Sequence, residues 1–147
     1  MRQLVENTLK AIGHYKPEAA ELILGTCAQE SAYGKYRKQL GGGPALGIFQ
    51  CEPATFNDIF ENYLIYKSEL LGKIIEISKI KRINPEDLVD NDVLATCICR
   101  VHYLRIREAI PKDLPGWARY YKQYYNTPMG KATEEQFISN YHKYVES

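Results

Sequence analysis

The chain has 147 residues, 45% of them hydrophobic and 25% charged, which is one globular domain with a substantial core and no room for two. Lys and Arg number 19 against 18 Asp and Glu, a formal charge of +1, so the cationic surplus of a dedicated nucleic-acid binder is missing. The one skew is 12 tyrosines beside 4 phenylalanines and a single tryptophan, rings that serve either as core or as stacking faces.

The opening segment MRQLVENTLKAIGHY lacks the apolar stretch of a secretory signal, so synthesis in the cytoplasm without a signal peptide is expected. No apolar run approaches the length of a bilayer, and no membrane span is expected. The cysteines Cys27, Cys51, Cys97 and Cys99 form no C-x-x-C pair, and His14, His102 and His142 stand at no zinc-like spacing from them. They read as small, reduced core residues. Neither a metal nor a cofactor is expected.

In chain order, Leu4, Val5, Thr8, Leu9 and Ile12 share one helical face, and Gly13 stops the run. Pro17 suits the first turn of a second helix, with Glu18 at its favourable end. Ala20, Ile23, Leu24, Cys27 and Ala28 keep the helical pattern up to Tyr33-Gly34, where glycine offers a left-handed cap. Residues 35–54 lose that periodicity, and their glycines and prolines predict a loop with a short strand at Leu46–Cys51. Thr55-x-x-Asp58 has the form of a capping box for a helix carrying Phe56, Ile59, Phe60 and Tyr63.

A further helix is expected over about Ile65–Ile80, weakened by Gly72. Asn84-Pro85-Glu86-Asp87 is another N-terminal signature, and Asp90/Asn91 restart a long helix. Its face of Val93, Leu94, Cys97, Ile98, Val101 and Leu104 marks it as the central core helix. Pro111 and Pro115-Gly116 end it and open the helical segment WARYYKQYYN, after which Asn126-Thr127-Pro128 turns the chain. Thr133-x-x-Gln136 caps a last helix with Phe137, Ile138, Tyr141 and Val145 inward. The expected architecture is a mainly α single domain over residues 1–147, with one glycine-rich excursion.

Chemistry enters at the end of the second helix. Ile23, Cys27 and Glu30 are spaced by four and three, so Glu30 continues an apolar stripe. Desolvation penalises a carboxylate there, and the negative end of the helix dipole adds to the penalty. Both push its pKa upward, as a proton donor near neutral pH requires. A solvated glutamate at a frayed helix end fits the same spacing, and the local pattern leaves the two readings level.

Glu30-Ser31 leads through a basic, glycine-rich loop to Gly47-Ile48-Phe49-Gln50, twenty residues on. In these two motifs the chain resembles the soluble lytic transglycosylase-like domains of the lysozyme-like superfamily. There a helix ends in Glu-Ser, a Gly-Leu-Met-Gln motif follows on a loop or short strand, and an Ala-Tyr-Asn-Ala-Gly motif supplies a tyrosine and an asparagine. Here Ile48 and Phe49 replace Leu and Met, and Tyr125-Asn126 matches the third motif without its flanking alanine and glycine. The family's terminal Glu-Thr-x-x-Tyr-Val motif is absent; FISNYHKY, from Phe137 to Tyr144, takes its place in the order and no role is carried over from it. Over about residues 20–145 the chain looks most like phage-encoded peptidoglycan-degrading proteins.

The resemblance implies a lysozyme-like fold and cleavage of the β-1,4 bond between N-acetylmuramic acid and N-acetylglucosamine. Glu30 is then the catalytic residue: it protonates the glycosidic oxygen, and its carboxylate next takes the proton of the muramyl C6 hydroxyl as a 1,6-anhydro ring closes. Such a reaction needs no second carboxylate, and no Asp or Glu lies between Glu30 and Glu52. A hydrolytic muramidase does need one, with Glu52 or Asp58 nearest. Glu52 reads first as an ordinary loop or helix-start charge before Pro53 and second as that carboxylate. For substrate binding the resemblance implies Ser31 around the carboxyl, Gly47 for close backbone approach, Gln50 as an amide, and Tyr125 with Asn126 on the substrate or on Glu30. Tyr124 competes with Tyr125 for that place.

Trp117, Tyr121 and Tyr124, at i, i+4 and i+7, read first as packing and second as a sugar-facing stripe. Lys35, Arg37 and Lys38 are solvated charges or attractants for cell-wall carboxylates. Gly41-Gly42-Gly43-Pro44 lacks the Lys-Ser/Thr of a phosphate loop and reads as a rim of the cleft. The three histidines read as structural or surface residues. Expected partners are peptidoglycan strands, not nucleic acid, together with other virion proteins if the enzyme travels in a particle. It would reach the wall from the virion or at lysis. The competing class is a virion or cell-wall-binding protein without turnover.

Overall fold

Apolar stripes at helical spacing become seven α-helices in the computed structural model, which describes residues 1–38, 42–127 and 129–147. Helix α1 (Arg2–Ala11) buries Val5, Thr8 and Leu9 and stops before Gly13, whose φ is 78°. Helix α2 (Pro17–Ser31) begins on Pro17 and has ten of its fifteen residues buried. Helix α3 spans Pro53–Asn62, α4 spans Ser68–Ser78 and α5 spans Asp92–Leu104. Helix α6 (Leu114–Tyr121) runs into a π-helical turn at Lys122–Asn126, and α7 (Glu134–Asn140) into another at Tyr141–Val145.

The sequence pattern gives the centre to α5 alone, whereas the structure divides it between α5 and α2. Nine of the thirteen α5 residues are buried, and α2 is enclosed to a similar degree. Helix α2 packs on α6 and α7, while α5 packs on α1, α3 and α4. A buried hydrogen bond of 2.8 Å between Thr26 Oγ1 and the Tyr103 hydroxyl joins the two central helices. The close crossing of α7 depends on Gly25, because a Cβ there would lie 2.3 Å from the Phe137 ring.

The caps follow the sequence in part. Asn84 accepts from the Glu86 amide, Asn91 accepts from the Leu94 amide, and Thr133 with Gln136 makes both bonds of its capping box. Thr55 makes no cap: α3 begins earlier, at Pro53 after Glu52, so Thr55 already lies within the helix. The helix expected from Ile65 starts at Ser68, preceded by a 3-10 turn at Leu64–Tyr66. Helix α5 stops at Leu104 and does not reach Pro111. The left-handed end of α2 opens at Ala32 and continues through Tyr33 and Gly34, with φ of 51°, 64° and 93°.

The strand expected at Leu46–Cys51 is not formed. Leu46 and Cys51 instead pair with each other through backbone hydrogen bonds of 2.9 and 3.0 Å, and residues 47–50 turn between them. Gly47 at φ 79° and Gln50 at φ 51° occupy the left-handed region, which a continuous strand excludes. Residues 39–41 and 128 lie outside the described residues. The expected glycine-rich rim at residues 41–44 and the turn through Pro128 therefore fall partly outside them.

Candidate active site

Glu30 sits in the last turn of α2, in line with the buried Ile23 and Cys27. Its partner is Tyr121 of α6, whose hydroxyl donates to Glu30 Oε2. Tyr121 is itself buried and packs on Phe137 and on Tyr125, the latter a stacked pair with centroids 5.8 Å apart. Burial pushes the Glu30 carboxyl up to about 7, and the Tyr121 hydroxyl, which favours the anion, offsets part of that rise. No Lys, Arg or His among the described residues forms a salt bridge with it. Of the two readings that the spacing left level, the partly desolvated carboxyl is the one observed, since Glu30 is half-buried.

The turn at 47–50 is tied to the helices through consecutive carbonyls. Ser31 Oγ donates to Ile48 O at 2.7 Å, and the Tyr125 hydroxyl donates to Phe49 O at 2.5 Å. Within the turn, Gln50 Nε2 donates to Gly47 O at 2.9 Å. The other side of the turn rests on the 3-10 segment Pro85–Val89, where a Cβ at Gly47 would lie 2.4 Å from Leu88 O. Residues far apart in sequence, Ser31, the turn and Tyr125, thus form one hydrogen-bonded unit.

Beside this unit opens a groove of about 330 Å³ between the turn, the start of α3 and the face of α5. Leu46, Phe49, Ile59, Leu88 and Ile98 supply apolar wall, and Gln50, Glu52, His102 and Asn126 supply polar groups. Glu30 is not in that wall. It is half-buried, not sealed, and is linked to the groove through Tyr121 and the stacked Tyr125, which does line it.

The sequence-derived residues therefore separate. Gln50, Tyr125, Asn126 and Glu52 line the groove, and Glu52 is exposed there. Asn126 Oδ1 is engaged by Lys122 Nζ at 2.8 Å. Ser31 is fully buried and therefore cannot touch a glycan; its hydroxyl is spent on Ile48 O and Cys27 O. Gly47 is also buried, and the close approach it permits is to the Leu88 carbonyl rather than to a substrate. Tyr125 bonds the turn and not Glu30, while Tyr124 donates to Glu108 Oε1 at 2.8 Å.

Asp58 pairs with Arg105 at 2.9 Å and does not line the groove. Arg37 is held by Asp92 at 2.6 Å and by Val89 O, so it is a structural cation. Cys27, Cys97 and Cys99 are buried free thiols, and burial pushes Cys27, Cys51 and Cys97 up to about 12, far from a reactive thiolate.

Two groups escaped the sequence reading. Tyr121 lay within a stripe assigned first to packing, and nothing in that stripe marks which hydroxyl reaches α2. His102 reads from the sequence as a structural or surface residue, yet it lines the groove three residues beyond Cys99 on α5. A lone ring nitrogen pair on an apolar helix face was the available signal. Among the described residues no group of three His, Cys, Asp or Glu is arranged to hold a metal ion, and no helix is long and apolar enough to cross a membrane. No protein-family model, curated protein or solved structure matches the chain.

Proposed function

We propose that this mainly α domain is a lysozyme-like peptidoglycan lytic transglycosylase that cleaves the β-1,4 bond between N-acetylmuramic acid and N-acetylglucosamine. The observation that carries the reading is the half-buried Glu30 carboxyl, raised to about 7 and held by the hydroxyl of Tyr121, which stacks on the groove-lining Tyr125. At neutral pH a large fraction of such a group is protonated, which suits a general acid.

Protonated Glu30 gives its proton to the glycosidic oxygen as the C1–O bond breaks, releasing the N-acetylglucosamine hydroxyl. The carboxylate left behind takes the C6 hydroxyl proton, and O6 bonds to C1 of the muramyl residue. The proton returns to Glu30 and no water is consumed. Tyr121, donating to Oε2, holds the carboxyl in one orientation and stabilises the anionic stage. Supporting partners and place of action are the peptidoglycan strands of a cell wall, reached from a phage particle or at lysis.

A hydrolytic muramidase is the second reading, favoured by the exposed Glu52 on the groove wall. Digestion of purified peptidoglycan in oxygen-18 water separates the two. Muramyl ends that are 1,6-anhydro and unlabelled are expected; reducing ends carrying the label overturn the transglycosylase reading. No release of fragments favours a binding protein without turnover.

A further inference from the structure

His102 is half-buried near the end of α5 and lies on the groove wall. Its Nε2 is 2.9 Å from the Tyr124 carbonyl oxygen. A carbonyl oxygen only accepts, so Nε2 carries the ring proton and Nδ1 is left with a lone pair. The ring is fixed on two further sides, by Tyr125 at 4.6 Å between centroids and by Tyr103, edge-on, at 5.7 Å.

Nδ1 finds no hydrogen-bond partner among the described residues, and no buried side-chain nitrogen or oxygen among them lacks one. Nδ1 is therefore not sealed in the core. A rigid acceptor is thus available at a groove whose other polar side chains include two amides, Gln50 and Asn126. Burial pulls the His102 pKa down, the Tyr124 bond offsets part of that and Arg105 adds a little to it, which favours the neutral ring.

We infer that His102 is a specificity-determining residue, whose Nδ1 accepts a hydrogen bond from a donor group of the bound glycan, a hydroxyl or an amide N–H. The inference rests on the glycan reading of this groove and adds to it the residue that selects for a donor at one position. A hydrogen bond of this kind acts on ground-state and transition-state binding alike, so its loss raises KM and leaves kcat in place.

The test uses the whole chain with peptidoglycan fragments. His102→Phe keeps an aromatic ring against Tyr125 and removes both nitrogens. His102→Asn keeps an acceptor near Nδ1 and gives up the bond to Tyr124. A KM about 5–10-fold higher is expected for the Phe variant, the effect of one neutral hydrogen bond. Its kcat should stay within about 2-fold, and the Asn variant should remain near the wild type. The same ranking is expected in Kd for fragments when each change is made beside Glu30→Gln.

Equal losses in Phe and Asn, or none in Phe, overturn the inference. Nitrogen-15 NMR of the unaltered ring decides it even if the Phe variant does not fold. An unprotonated Nδ1 whose signal moves on adding fragment supports it, and a protonated or unmoved Nδ1 sinks it. A chain that binds fragments without cleaving them defeats the enzymatic reading alone. One that neither binds nor cleaves defeats both.

Discussion

Glu30 closes α2 and Glu52 opens the way into α3, with the turn pinned by Ser31 and Tyr125 between them. The first is half-buried, bonded by Tyr121 and lifted to about 7 by burial; the second is exposed and makes no side-chain cap. The same residue type at opposite helix ends thereby acquires different chemistry. What sets Glu30 apart is the apolar stripe that carries it inward and the α6 tyrosine that meets it, features of the packing rather than of the residue.

The largest break in that contrast is Glu30→Gln. Loss of a general acid is expected to cut peptidoglycan cleavage by roughly 10²–10⁴-fold, read as muropeptide release. Stability should move the opposite way. The folded chain holds the Glu30 proton more tightly than the unfolded chain, about 7 against 4.5. The stabilisation this gives is complete below pH 4.5 and is lost as the pH rises through 7. At pH 8 the ionised carboxylate costs up to about 3 kcal/mol relative to pH 4, and the glutamine is free of that cost. The variant should therefore melt higher than the wild type at pH 8, with the advantage shrinking toward pH 4. A variant that melts lower at both pH values contradicts the desolvated-acid description.

Tyr121→Phe comes next in size. It removes the hydroxyl that favours the Glu30 anion while leaving the ring against Phe137 and Tyr125. A hydrogen bond to a charged acceptor contributes about 1.5–3 kcal/mol, equivalent to roughly 1–2 pH units on the partner. The alkaline limb of the pH–activity curve should move upward by at least about one unit. Turnover at pH 7 should fall about 10-fold, because the carboxyl loses its fixed orientation. An unmoved limb assigns Tyr121 to packing alone.

The helical frame and the place of Glu30 in line with an apolar stripe are visible in the sequence because both follow from periodicity, a local property, whereas the same spacing fits a desolvated and a solvated carboxyl alike. The roles of Ser31 and Gly47 are not, since each serves a distant backbone group. Ser31 answers the Ile48 carbonyl, and Gly47 makes room for that of Leu88. Their residue types are right for the motif while their contacts are internal. Tyr121 illustrates the same limit. Its bond spans from α6 to α2, and the stripe of Trp117, Tyr121 and Tyr124 fits packing whichever hydroxyl makes it. The strand expected at Leu46–Cys51 fails for a related reason: alternation of residue types carries no sign of the left-handed Gln50 that closes the turn.

The smallest effect is expected at Glu52, and it sharpens the contrast most. A transglycosylase returns its proton to Glu30 and draws nothing from a second carboxylate, so Glu52→Gln should change kcat/KM by no more than about 2-fold. In a hydrolase the exposed carboxylate would activate water or meet the sugar directly, and its loss would cost 10²-fold or more. The pH profile gives a second reading of the same variant. One titrating acid yields a single fall above about 7, whereas an acid and a base together yield a bell. A bell in the wild type that loses its acid limb in Glu52→Gln would move Glu52 from the groove wall into the mechanism. A single limb unchanged by the substitution leaves Glu30 as the only carboxyl the chemistry uses.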